Sequence, residues 1–238
     1  MAYHGHVSEP ETGLREELGL RELKKQMTRE SIADAALQLT LEKGLTNVTT
    51  DDIAHLAFVS PRTVTNYFTC KEEAVVAAGS DNAHALLQQF AEAPEDEPPL
   101  HTLRRLVNAF VSSRTPEQVQ RSVQQITLMQ DNPSLRPFQL AHDDQLEEAL
   151  RSSVAARTGT DLDSDLYPWL VASAALSAAT TALRLCAQAG GDVENLTQLI
   201  GSAFDQISAG LPPPAADREH PNAATAPQTV VPHSRSAD

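Results

Sequence analysis

Cysteine is nearly missing from this chain. Of 238 residues only Cys70 and Cys186 are cysteines, and they lie far apart. That excludes a disulfide scaffold or a cysteine-based zinc site and suits a reducing cytoplasm. The opening MAYHGHVSEPETG has neither a basic start nor an apolar run, so no signal peptide is expected. Strand signals are missing too. No alternating β-branched run and no Asn-Gly hairpin occurs, which argues against a sheet. Enzyme signatures are equally scarce. There is no Gly-rich phosphate loop, no Gly-x-Ser-x-Gly and no His-Glu-x-x-His, so no enzymatic activity is expected. The histidines are scattered. His142 with Asp143, Asp144 and Glu147 does not have ligand spacing, and neither a metal nor a cofactor is expected.

Net positive charge is also lacking: the chain carries −14. The acid is unevenly placed, because residues 14–71 hold eight Lys/Arg and eight Asp/Glu and are neutral. Acid outside that segment keeps the chain soluble and repels non-specific contact with nucleic acid.

What is present is helical periodicity almost throughout, which predicts an all-α fold. Ile32, Ala35, Ala36 and Leu39 form one apolar face and place a first helix from about residue 21 to Lys43, stopped by Gly44. Lys71-Glu72-Glu73 opens a longer helix to about Phe90, and AEAPEDEPP over 91–99 is an acidic connector. Further helices are expected at about 100–113, with Leu103, Leu106, Val107 and Phe110 inward, from Thr115 to near Asn132, and from Phe138 to Arg157. Another is expected at about 192–209. Residues 166–183 contain no charge and are long enough to span a membrane. They are dominated by Ala, Ser and Thr and carry Pro168, so the expectation is a buried helix at a subunit interface and no membrane partner.

Residues 49–68, TTDDIAHLAFVSPRTVTNYF, carry the strongest signal. Thr49 and Asp52 make a capping-box pair for one short helix. Ser60 is the N-cap of a second, and Pro61 stands at its first position, where a missing N–H is harmless. Two short helices around a tight turn, the second opening on Ser60-Pro61-Arg62-Thr63, place a helix N-terminus against DNA.

The segments RELKKQMTRESIADAALQL, EKGL, TTDDIAHLAFVS and PRTVTNYFTCKEEAV over residues 21–77 resemble the N-terminal domain of the TetR family of transcriptional regulators. The C-terminal half, with PSLRPFQLAHDDQLEEAL and the Ala-rich helix after it, more weakly resembles the acyl-CoA-like ligand domain of one subset. The resemblance implies an all-α homodimer of about nine helices. A three-helix helix-turn-helix DNA-binding domain is followed by a helical ligand-binding and dimerisation domain. The boundaries expected are a flexible arm 1–20, a DNA-binding domain 21–72, a ligand-binding and dimerisation domain 73–210, and a disordered tail 211–238.

The family pattern implies roles residue by residue. Thr49, Tyr67 and Lys71 would contact phosphates of a double-stranded operator. Ser60 would cap the recognition helix. Arg62 and Thr63 would read base edges, with Thr65 and Asn66 beside them. Candidates for a ligand site are Leu103, Val107, Phe110, Ile126, Met129, Leu146, Trp169 and Ser173, of which Phe110, Met129 and Trp169 also suit a packed core. The expected function is a cytoplasmic repressor released from a palindromic operator by a small apolar or acyl-CoA-like effector. The alternative is a ligand-independent or activating regulator whose C-terminal domain binds a protein. A helical enzyme or scaffold is a third reading. A cavity of a few hundred Å3 would favour the first reading, and a side-chain-filled core the second.

Three positions depart from the family pattern. Phe58 stands where a turn residue of positive φ is usually Gly, and either tolerates that conformation at about 1–2 kcal/mol or packs on a neighbour and changes the helix angle. Thr65 replaces a Tyr. Leu23, Gln26 and Met27 stand where relatives carry more Arg and Lys, so a strong minor-groove arm is not expected. Cys70 sits at a cap position, where a small neutral side chain is the expected reading.

Overall fold

The computed structural model describes residues 11–213, with side chains for 20–80 and 82–213. The expectations for residues 1–10, His4 and His6 among them, and for 214–238 lie outside the described residues. Among the described residues the fold is all-helical, with ten α-helices and no strand. They are α1 (Glu11–Lys43), α2 (Thr50–Leu56), α3 (Pro61–Tyr67), α4 (Lys71–Ala77), α5 (Ser80–Glu92), α6 (Pro99–Ser112), α7 (Pro116–Asp131), α8 (Arg136–Thr158), α9 (Leu166–Ala189) and α10 (Val193–Ser208).

Three boundaries differ from the sequence reading. Helix α1 begins at Glu11 rather than near residue 21, because ETGLREELGL is rich in good helix formers although it lacks an apolar stripe. The single helix expected from Lys71 to Phe90 is two. Ala78 is extended and Gly79 adopts φ +83°, which turns the chain and starts α5. Pro137 does not delay the next helix, since it lies in the first turn of α8, where no backbone donor is needed.

Helices α1 to α4 share one apolar core, with Ile32, Ala36, Leu37, Ile53, Val64, Phe68 and Val75 buried. Leu135, fully buried, reaches into this core from the turn before α8, and Leu128, Met129 and Phe138 pack against it. A second core joins α5 to α10 around Phe90, Leu106, Val119, Val154, Ala172, Ile200 and Phe204. Helix α9 is the one described helix long and apolar enough to cross a membrane. It packs instead on α7, α8 and α10 through Val171, Ala172, Ala175, Ala178, Ala182 and Cys186. Its other face exposes Leu166, Leu170 and Leu185.

The acidic connector is held by α8. Arg157 donates to the carbonyls of Phe90, Ala93, Pro94 and Glu97 and to Thr102 Oγ1, and its guanidinium lies 5.0 Å from the Phe90 ring centroid. One planar fork thus ties the end of α5 and the connector carbonyls to α8.

Candidate functional site

The helix-turn-helix is assembled by its caps. Thr49 Oγ1 accepts from Asp52 N at 3.1 Å, and Asp52 Oδ2 accepts from Thr49 N at 3.0 Å, closing the capping box. Thr49 Oγ1 also donates to Asp52 Oδ2 at 2.6 Å. These bonds to Thr49, helped by Lys43, hold the Asp52 carboxyl below its ordinary value. The Thr49 hydroxyl has a single proton, and Asp52 accepts it. A phosphate near this helix start therefore meets a committed hydroxyl and two carboxylates, Asp51 and Asp52, and must rely on backbone N–H groups.

Ser60 Oγ accepts from Thr63 N at 3.1 Å and shares a 2.8 Å hydrogen bond with Thr63 Oγ1. Thr65 Oγ1 donates to the Arg62 carbonyl at 3.1 Å. Three hydroxyls assigned to DNA are thus engaged inside α3. Arg62 and Asn66 are exposed on the same helix and make no side-chain hydrogen bond or ion pair among the described residues. Tyr67 is half-buried and packs its ring on the α1–α4 core. Of the side chains picked from sequence, Arg62 and Asn66 are exposed on α3 and uncommitted, and the half-buried Tyr67 keeps a hydroxyl unbonded among the described residues.

Lys71 also has a structural task that the sequence did not announce. Its Nζ donates to the Leu45 carbonyl at 2.7 Å and the Val48 carbonyl at 2.9 Å. It ties the start of α4 to the short turn before α2, which leaves one ammonium proton for a phosphate. Phe58 does adopt positive φ, at +56°, and is 94% exposed. It packs on nothing, and the turn keeps the shape that Gly would give it. Arg29 lies over the Phe68 ring, 4.5 Å from its centroid, and joins α1 to the end of α3.

A cavity of about 650 Å3 opens between this head and the C-terminal helices. Leu103, Val107, Phe110, Ile126, Met129 and Leu146 line it. The other two candidates lie elsewhere. Trp169 donates its Nε1–H to the Leu162 carbonyl at 3.0 Å, and the Arg151 guanidinium stacks 3.6 Å from its ring centroid. Ser173 donates to the Glu147 carboxylate on the surface. Both sit on the outer side of α9, which its uncharged sequence does not reveal.

Polar groups that the sequence reading missed also line the cavity. Gln125 Nε2 donates to the Val75 carbonyl at 3.3 Å and the Ala78 carbonyl at 3.1 Å, bridging α7 to the end of α4. Arg121 reaches the Asp34 backbone carbonyl at 2.9 Å and its carboxylate at 3.4 Å. Arg114 donates to Ser122 Oγ and the Gln118 carbonyl, each at 3.1 Å, and burial pushes its pKa down. Burial lowers the His142 imidazole and raises the adjacent Asp143 carboxyl. The Gln125 and Arg121 bonds have no sequence signature, since they join residues 47 to 87 positions apart, whereas Arg114 bonds locally to the first turns of α7.

Residues 32–78 match the profile of bacterial regulatory proteins of the tetR family, and residues 83–212 match the MftR C-terminal domain. The chain is 30% identical over 195 residues to the HTH-type transcriptional regulator TcmR of Streptomyces glaucescens, covering 79% of this chain and 86% of that protein. It is 28% identical over 193 residues to MftR of Mycobacterium tuberculosis, covering 79% of this chain and 93% of that one. Among solved structures, Salmonella enterica GusR superposes with a TM-score of 0.50 at 20% identity, over 77% of this chain and 94% of that one. Thermus thermophilus FadR in complex with lauroyl-CoA superposes with a TM-score of 0.50 at 20% identity, over 79% and 97%.

Proposed function

Because the chain belongs to the TetR family of transcriptional regulators, we propose that it is a homodimeric repressor, released from a palindromic operator by a small apolar or acyl-type ligand. It is a DNA-binding regulator and not an enzyme. It acts in the cytoplasm, where its operator is. Arg62, in the first turn of α3, and Asn66, one turn further along, read base edges. Ser60, Thr63 and Thr65 shape that helix, and the backbone N–H groups that follow Thr49, the Tyr67 hydroxyl and the remaining Lys71 proton set it against the DNA backbone. The reading head spans residues 21–72, and residues 73–210 bind the ligand and the second subunit.

The observation that carries this reading is the cavity and its place. Its volume falls within the roughly 300–1,000 Å3 usual for small-molecule sites. Glu30, Asp34 and Leu37 of α1 and Val76 of α4 share its wall with α6, α7, α8 and α9. A side-chain-filled core would instead have favoured a protein-binding regulator. Gln125 ties this wall to the end of α4, and Lys71 ties the start of α4 to the turn before α2. A ligand that binds better when α4 is displaced therefore favours heads misaligned with the operator. Lauroyl-CoA bound to the FadR relative makes an acyl ligand a reasonable first probe.

The test selects an operator from random duplexes, then identifies by native mass spectrometry what co-purifies with the protein. The expected result is a defined near-palindrome, and a ligand that lowers operator affinity when added back. A ligand-bound protein that holds its operator unchanged would remove the release mechanism.

A further inference from the structure

We propose that the effector carries one anionic group on an apolar body, and that Arg114 receives it. This rests on the cavity being the effector site and names the chemistry of what enters. The cavity wall has two guanidinium groups, Arg114 and Arg121, and three carboxylates, Glu30, Asp34 and Asp143. Arg121 is neutralised by Asp34. Arg114 is not neutralised. Its acceptors are the Ser122 hydroxyl and the Gln118 carbonyl, both uncharged, and no carboxylate pairs with it among the described residues. Its guanidinium also faces the Phe110 ring at 5.3 Å, and Phe110 itself lines the cavity. The fork is thereby held in place before anything binds.

A half-buried cation with only neutral partners is left undercompensated, and burial alone lowers its pKa. A ligand carboxylate or similar oxyanion would supply the missing charge through charge-assisted hydrogen bonds. The rest of the ligand would lie on Leu103, Val107, Ile126, Met129 and Leu146, which is an apolar surface. Four other arginines of the C-terminal helices are not available in this way. Arg104 pairs with Asp205, and Arg105 with Glu97. Neither these two nor Arg136 and Arg184 line the cavity.

The experiment uses the full chain and three probes that share a twelve-carbon tail: dodecanoate, dodecan-1-ol and dodecyltrimethylammonium. Each is titrated calorimetrically below its micelle concentration into the wild type, Arg114→Met and Arg114→Lys. The wild type is expected to bind dodecanoate about tenfold or more tighter than the alcohol, the scale of one charged hydrogen-bonding group. Arg114→Met should bring the two within about threefold, with alcohol affinity unchanged, while Arg114→Lys keeps part of the preference. If Arg114 were merely structural, carboxylate and alcohol affinities would fall together, and the inference would be overturned. Equal binding of all three probes to the wild type would overturn it too, yet leave the cavity reading standing. That comparison needs no variant to fold. Binding of none of the three would end the cavity reading and this inference with it.

Discussion

Arg62 and Asn66 stand free on α3, while the hydroxyls around them are engaged locally. Ser60 and Thr63 bond each other, and Thr65 bonds back to the Arg62 carbonyl. An exposed guanidinium on the first turn can make a bidentate contact to guanine, worth about 1–3 kcal/mol of discrimination. Arg62→Ala is expected to flatten the preference at one base pair of each half-site by roughly ten- to a hundred-fold, read by anisotropy titration against single-base variants of the selected operator. Unchanged discrimination would remove Arg62 from the reading set. Phe58 makes the opposite kind of case, an exposed residue with an unfavourable backbone. Its φ of +56° costs an L-residue about 1–2 kcal/mol, and glycine returns part of that as unfolded-state entropy. Phe58→Gly is therefore expected to raise the melting temperature by about 1–4 °C, the shift for up to roughly 1 kcal/mol in a chain of this size. A fall would mean that the exposed phenyl makes a stabilising contact. The caps on either side were legible in the sequence because each joins residues three apart. The two carbonyls bound by Lys71 lie 23 and 26 positions away, and no local pattern announces them.

Helices were legible where amphipathic spacing or a cap marks them, and less so where backbone geometry decides. The α4–α5 break turns on Gly79, whose positive φ interrupts an otherwise continuous helical pattern. The connector 93–98 reads as a featureless acidic stretch, yet its carbonyls are held from α8 by Arg157. Composition gives the acid but not the partner, 60 or more residues away. The same connector carries Glu97, bonded twice by Arg105, at 2.7 and 3.2 Å. That bond, chiefly, pulls the Glu97 carboxyl from 4.5 down to about 2. A carboxylate whose folded pKa lies below its unfolded value stabilises the fold above the unfolded value and loses that contribution as pH falls toward the folded one. For Glu97 the window runs from about pH 4.5 down to about 2. Carbon-detected NMR should place its titration midpoint near the lower end, and Arg105→Met should move it toward 4.5. A midpoint already near 4.5 in the wild type would mean that the Arg105 fork does not persist in solution.

At the scale of the whole molecule, the chain divides its charge and its apolar surface between different tasks. Residues 14–71, which hold nearly all of the reading head, are neutral, while the full chain carries −14. On the proposed function, DNA binding would depend on a few placed contacts and not on a basic surface, and one head alone would bind weakly. Two heads joined rigidly gain from effective concentration, which is why the outer face of α9 matters. Leu166 and Leu170 stand at its start, 76% and 64% exposed, and Leu185 near its end, 47% exposed. Between them Ser177 and Thr181 are exposed at helical spacing. Small residues flanked by leucines allow close approach of a second helix and an apolar seal at each end. On the proposed homodimer, this face and the adjoining side of α10 meet their copies around a two-fold axis, so each residue counts twice. A glutamate at position 170 would place two carboxylates in that seam. Leu170→Glu is expected to convert the dimer to a folded monomer by sedimentation velocity, with helical content retained, because the residue is outside both cores. Operator affinity should then fall by roughly 10²–10⁴, the avidity lost when two modules are no longer linked. A Leu170→Glu protein that stays dimeric and keeps its affinity would move the dimer interface away from this face of α9.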